Sequence, residues 1–221
     1  EAWKKHETHL EPLIKALDYN SLNQQVEKGL KDPQNVKVNK KNQLGPSQEQ
    51  INSVIGLYSN GQIQAALDAV EVLTTDYPNE PLLYNVSGAC YAGLGQLDAA
   101  VKSYEKALVI KPDYAEVHNN LGIALKDLGQ HDTAVKSFEQ ALAIKPDYVK
   151  VHHSLSTMKR YKISDPQITQ MQSLLSTINL SQSDRINLCF ALAKVYEHLG
   201  KQDEFFEFLH EGNRLRKEEL N

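Results

Sequence analysis

The residue types able to do chemistry in this 221-residue chain are few, and most stand at the wrong spacing for it. The run HETH at 6–9 sets a glutamate between His6 and His9. A zinc hydrolase motif needs two histidines four apart on one helix face, with the glutamate beside the first, so that metal and general base converge on one water. Three-residue spacing does not meet that requirement, and no functional metal site is expected. Cys90 and Cys189 are too few for a disulfide framework or a site of paired thiolates. They read as buried small hydrophobes in a reducing compartment, which gives a cytoplasmic expectation. No glycine-rich phosphate loop or nucleophile elbow occurs. The expectation is no cofactor and no enzyme activity within this chain.

Charge narrows the partners further. The net charge is −4 with a pI near 6.1, without the broad cationic footprint that a phosphate backbone demands, so nucleic acid is not expected. No apolar run approaches the length of about 20 residues that spans a bilayer, and no membrane role is expected. The content of 41% hydrophobic and 24% charged residues suits one or two ordinary globular domains. Because RLRKEEL near the end is helix-favouring and carries no stop signal, the sequence reads as part of a longer chain.

The elements that would position any site follow from a repeat. ALVIKPDY at 107–114 returns as ALAIKPDY at 141–148, and more than half the positions of 81–114 are identical in 115–148. In each copy a first stripe, Tyr84, Ser87, Gly88 and Tyr91 or His118, Leu121, Gly122 and Leu125, has the spacing of one helix face. Gly95 and Gly129 then stand where a helix should close in the left-handed conformation. A second helix follows, marked by Ala100, Tyr104, Ala107 and Leu108 or Ala134, Phe138, Ala141 and Leu142, and Pro112 and Pro146 stop it. His118 and His152 fall on the core stripe, where the expectation is planar side chains packed between helices.

Two antiparallel helices per 34 residues, small residues at the crossing and a closing proline resemble the tetratricopeptide repeat. The resemblance implies an all-α, right-handed α-α superhelix, a solenoid in which stacked neighbours bury the core that one repeat cannot. Repeats are expected at 47–80, 81–114 and 115–148. A partial repeat with an inserted helix at 149–185, opened by Asp165 and Pro166, and a terminal repeat at 186–219 complete a domain over 47–221. In the first copy Ile51, Val54, Ile55 and Tyr58 form an irregular stripe. Residues 1–32 read as two short amphipathic helices that fold back over it, and residues 33–46 as a polar linker.

The same resemblance implies a concave groove lined by the first helices. With the core stripe at repeat positions 4, 7, 8 and 11, positions 2, 5, 9 and 12 point the other way. The candidate peptide-binding residues are Asn85, Ala89, Glu116, Asn119, Asn120, Ile123, Lys126, Lys150, His153, Thr157 and Arg160, with Leu82 and Ala92 on the same face. Asparagine suits a peptide main chain because its amide both donates and accepts. Lys150, His153 and Arg160 make the C-terminal half basic and favour an acidic peptide there.

The stretch INLCFALAKVYEHLGKQDEFFEFLHEGNRLRKEEL resembles the terminal repeat of bacterial proteins that set tetratricopeptide repeats ahead of a sulfotransferase domain. The matching residues are Ala191 to Lys194, Tyr196, Glu197, Leu199, Gly200, Gly212, Asn213, Leu215 and Arg216. Three readings of function follow. The chain is a protein-interaction scaffold that binds a peptide or protein segment in its groove, or the non-catalytic recognition region of a larger bacterial sulfotransferase-type enzyme, or a module that self-associates through its end repeats.

Overall fold

The computed structural model describes residues 45–177 and 180–219. His6, His9, the two N-terminal amphipathic stretches, most of the linker and Ile178 lie outside the described residues. Those described form ten helices and no strand: α1 Gln48–Ser59, α2 Ile63–Asp76, α3 Pro81–Gly93, α4 Leu97–Ile110, α5 Ala115–Asp127, α6 His131–Ile144, α7 Val149–Ser156, α8 Pro166–Leu175, α9 Gln182–His198 and α10 Gln202–Glu219. They fall into two compact units, the first ending at Leu128 and the second beginning at Gly129.

Local chemistry sets where the helices begin and end. Ser47 opens α1 with a reciprocal capping box: its hydroxyl accepts from the Gln50 N–H at 3.2 Å, and its own N–H donates to Gln50 Oε1 at 2.8 Å. Asp165 caps α8 by accepting from the Gln167 N–H at 3.1 Å, with Pro166 in the first turn, as expected. After α3 the chain turns through Gly95 at φ 74°. The Gly95 and Gln96 N–H groups donate back to Ala92 and Tyr91, which is the paired closure of a Schellman motif. Gly61, Gly129 and Gly200 share that positive φ, so one turn chemistry recurs through the chain.

In the first unit each helix packs on the next, and α3 also touches α5. The core joins Val54 and Tyr58 of α1 to Leu67 and Val70 of α2 and to Leu83, Val86 and Cys90 of α3. The tightest point is the crossing of α3 and α4. A Cβ at Gly88 would lie 2.5–2.8 Å from the ring of Tyr104, which is wholly buried. Glycine is required there because the Tyr104 ring already occupies the space.

In the second unit the repeat pattern breaks after α7, which ends after eight residues. The following chain forms α8, which packs on both α7 and α9, while α7 and α9 pack directly on one another. The inserted helix expected from the sequence therefore stands beside α7 without separating it from α9. Arg185 of α9 fixes its far end by donating to the Leu175 and Thr177 carbonyls at 2.9 and 2.8 Å. Those carbonyls would otherwise end α8 without partners. Met171, Leu188, Leu192 and Val195 fill the core between these helices. In the last pair the close approach passes to the second helix, where a Cβ on Gly212 would meet Phe190 at 3.0 Å and Cys189 at 3.2 Å.

Two substitutions test the α3–α4 crossing. Gly88→Ala gains about 1 kcal/mol of helix propensity but costs about 1–3 kcal/mol by overpacking, and the site is too enclosed for the ring to retreat. Thermal unfolding should show a lower Tm, partly restored when Tyr104→Leu is added. Tyr104 also holds a buried hydroxyl with no hydrogen-bond partner, at the position that Phe138 fills one repeat later. Removing an unsatisfied buried group recovers up to about 1–3 kcal/mol, so Tyr104→Phe should raise Tm.

Candidate functional site

The candidate residues of the first unit lie on α3 and α5, and the structure divides them by burial. Asn85 and Ala89 have no exposed surface, Asn120 likewise none, and Asn119 is 3% exposed. Leu82 and Ala92 are buried too. The α3 residues at repeat positions 2, 5, 9 and 12, expected to line the groove, are therefore buried. The reason is tertiary: α3 is enclosed by α2, α4 and α5, and Tyr58 of α1 reaches over to donate to the Ala89 carbonyl at 3.3 Å. On α5, Glu116, Ile123 and Lys126 stay half-buried, with Lys126 Nζ 4.0 Å from the carboxylate of Asp127.

The buried asparagines form a ladder between the two helices. Asn119 Nδ2 donates to Asn120 Oδ1 at 3.3 Å, and Asn120 Nδ2 donates to Asn85 Oδ1 at 3.1 Å. One donor, Asn85 Nδ2, and one acceptor, Asn119 Oδ1, remain without a partner of hydrogen-bond geometry. Asn85 lies close enough to Tyr114 to moderate its acidity without an aligned bond. Burial pushes that phenol up to about 12, Glu116 adds to the rise, and the Asn85 amide offsets part of it. Its chemistry is that of a polar spacer fixing the register of α3 on α5.

In the second unit the candidates sit on and after α7. Lys150, His153 and Thr157 follow one another at spacings of three and four, and so share a helix face. His153, Thr157 and Arg160 are exposed and Lys150 is half-buried. Burial lowers the Lys150 ammonium below its ordinary value, and the charge of Asp184 on α9 opposes that shift. Thr157 turns its hydroxyl back to the Ser154 carbonyl at 2.8 Å, closing the end of α7.

Several ordering contacts escaped the sequence reading. Tyr84 donates to the Pro78 carbonyl at 3.0 Å, and His118 and His152 each place Nε2 2.9 Å from the carbonyls of Pro112 and Pro146. All three occupy repeat position 4 and stand six residues after a proline, a signal that was present in the sequence. Each ties the loop entering a repeat to that repeat's first helix, a role beyond the packing expected of the two histidines. Lys159 bridges Glu139 at 3.3 Å and Asp165 at 3.1 Å, and its ammonium lies 5.4 Å from the centre of the Tyr161 ring. Among the described residues no group of three or more histidine, cysteine, aspartate or glutamate side chains is placed to hold a metal ion, and no helix is long and apolar enough to cross a membrane.

Comparison with known proteins bears on the fold. A family model described as "TPR repeat" matches residues 88–129, and one described as "Tetratricopeptide repeat" matches 115–148. No curated protein sequence matches the chain. Among solved structures, MamA is similar at a TM-score of 0.58 and 18% identity, covering 76% of this chain and 96% of its own. Nearly identical TPR-like repeats from Podosopora anserina align at 0.59 and 19%, covering 77% and 95%. YrrB, described as a TPR protein with an unusual peptide-binding site, aligns at 0.57 and 16%, covering 81% and 89%. Residues 88–148 are tetratricopeptide repeats, and the described helices adopt the all-α fold of tetratricopeptide-repeat proteins.

Proposed function

We propose that this chain is a protein-interaction scaffold whose second unit binds an acidic segment of a partner protein on the face of α7. The observation that supports the reading is that Lys150, His153 and Thr157 share the spacing of one helix face and Arg160 is exposed in the segment that follows. Two permanent cations and an imidazole attract carboxylates, and the threonine adds a neutral polar contact. Glu116, Ile123 and Lys126 of α5 form a second, mixed contact surface on the first unit. Asn85, Ala89, Asn119 and Asn120 act beneath it, holding α3 against α5. The peptide-binding site ascribed to YrrB supports an interaction role for this fold. Both cysteines are free and buried, which supports a reducing, cytoplasmic setting.

A second reading places the array as the recognition arm of a bacterial sulfotransferase-type enzyme. It rests on the residue pattern of 186–219, and it uses the same surface for the acceptor protein.

Fluorescence anisotropy with labelled glutamate-rich and neutral peptides of equal length tests the surface. Tight binding of the acidic peptides that weakens with salt is expected, and Lys150→Glu with Arg160→Glu should reduce it by about tenfold or more. Equal affinity of the double variant would remove α7 as the contact face. Asn120→Ala should act differently, lowering Tm by leaving Asn85 Oδ1 buried and unpaired, at a cost of about 1–3 kcal/mol, with the acidic preference retained.

A further inference from the structure

One imidazole links the inserted helix α8 to α7 through a buried side-chain bond. His152 of α7 is wholly buried. Its Nε2 lies 2.9 Å from the Pro146 carbonyl and its Nδ1 lies 3.2 Å from Gln167 Nε2 of α8. Gln167 Oε1 in turn accepts from the Tyr161 hydroxyl at 3.1 Å. The bonding assigns every hydrogen in this chain. A carbonyl can only accept, so Nε2 carries the proton; an amide nitrogen can only donate, so Nδ1 is the bare acceptor. His118 makes the equivalent bond to Pro112 but is only half-buried and has no glutamine on its other nitrogen.

We propose that His152 is a proton-operated latch: neutral, it clamps the inserted helix α8 to α7, and protonation releases α8. A proton on Nδ1 would face the Gln167 amide nitrogen, donor against donor. Reversing the amide would restore that bond but leave the buried Tyr161 O–H without its acceptor. Either arrangement strands a buried polar hydrogen, while the open state gives both groups to water.

The surroundings do little to hold a cation. Asp147, in the loop before α7, favours the charged ring, as does the Pro146 carbonyl, but burial outweighs both and keeps His152 below its usual value of 6.5. From α8 the ring meets the neutral Gln167, and Gln170 donates to the same Pro146 carbonyl at 3.1 Å. Behind Tyr161, Lys159 is paired with Glu139 of α6 and with Asp165, the cap of α8. The core that α9 packs on α7 is apolar, built of Leu188, Ala191, Leu192 and Val195. Lys150 and His153 are the other titratable side chains on α7 itself.

The direction with pH follows. An imidazole released to water binds a proton at about 6.5, more readily than the latched one. Clamping is therefore complete above that pH and is lost as pH falls below it. Hydrogen exchange read as protection factors, with intrinsic rates removed, tests this on the intact chain at pH 7.5 and 5.5. Protection of amides 167–175 should fall by up to about tenfold at the lower pH, while α3 and α4 keep theirs. His152→Gln retains a donor for Pro146 and cannot ionise, so it should abolish the difference; His118→Gln should leave it intact. Unchanged α8 protection in the wild-type chain, or a persisting fall in His152→Gln, would overturn the latch. Should His152→Gln fail to fold, the imidazole nitrogen spectrum of the wild-type chain decides: the latch requires the Nε2–H form at pH 7.5 and a midpoint under 6.5, and a midpoint at or above 6.5 defeats it.

Discussion

Everything in the first unit hangs on how closely α3 can approach α4. At Gly88 the backbone of one helix lies against the face of a buried tyrosine on the other, with no room for a single carbon between them. That contact limits how closely the pair can cross, and the pair packs in turn on α2 and α5. A helix pair of this size cannot bury its apolar surface alone, so the next pair must stack on it. The recurring glycine turn at Gly61, Gly95, Gly129 and Gly200 closes the first helix of a pair in the left-handed conformation.

Polar groups then decide what the stack leaves open. At position 4 of successive repeats a tyrosine or histidine spends its donor on the proline carbonyl of the entering loop, which pins the loop to the first helix. Between α3 and α5 the asparagine ladder takes up space that an apolar core would otherwise fill, and so fixes register at the cost of one unpaired donor and one unpaired acceptor. In the second unit the interruption leaves α7 short. Its face carrying Lys150, His153 and Thr157 is presented beside an inserted helix that depends on side-chain bonds at both ends, to Asp165 and to Arg185.

The fold class was legible in the residues alone, because periodicity, glycine and proline are local properties of the chain. Apolar spacing on Ala100, Tyr104 and Ala107 must make a helix face, Gly95 must permit a positive φ, and Asp165 before Pro166 must start a helix whatever surrounds them. Their repetition at a constant interval then made stacking the way to bury the stripe. Packing between distant segments settled which face of each first helix remains available. Asn85 and His153 hold the same repeat position, yet one is sealed between helices and the other is exposed. Exposure depends on what packs opposite, and that is a property of neighbours distant in the sequence. The same holds for His152, whose partner Gln167 belongs to a helix outside the repeat register: no periodic pattern could have shown that its second nitrogen would meet a donor.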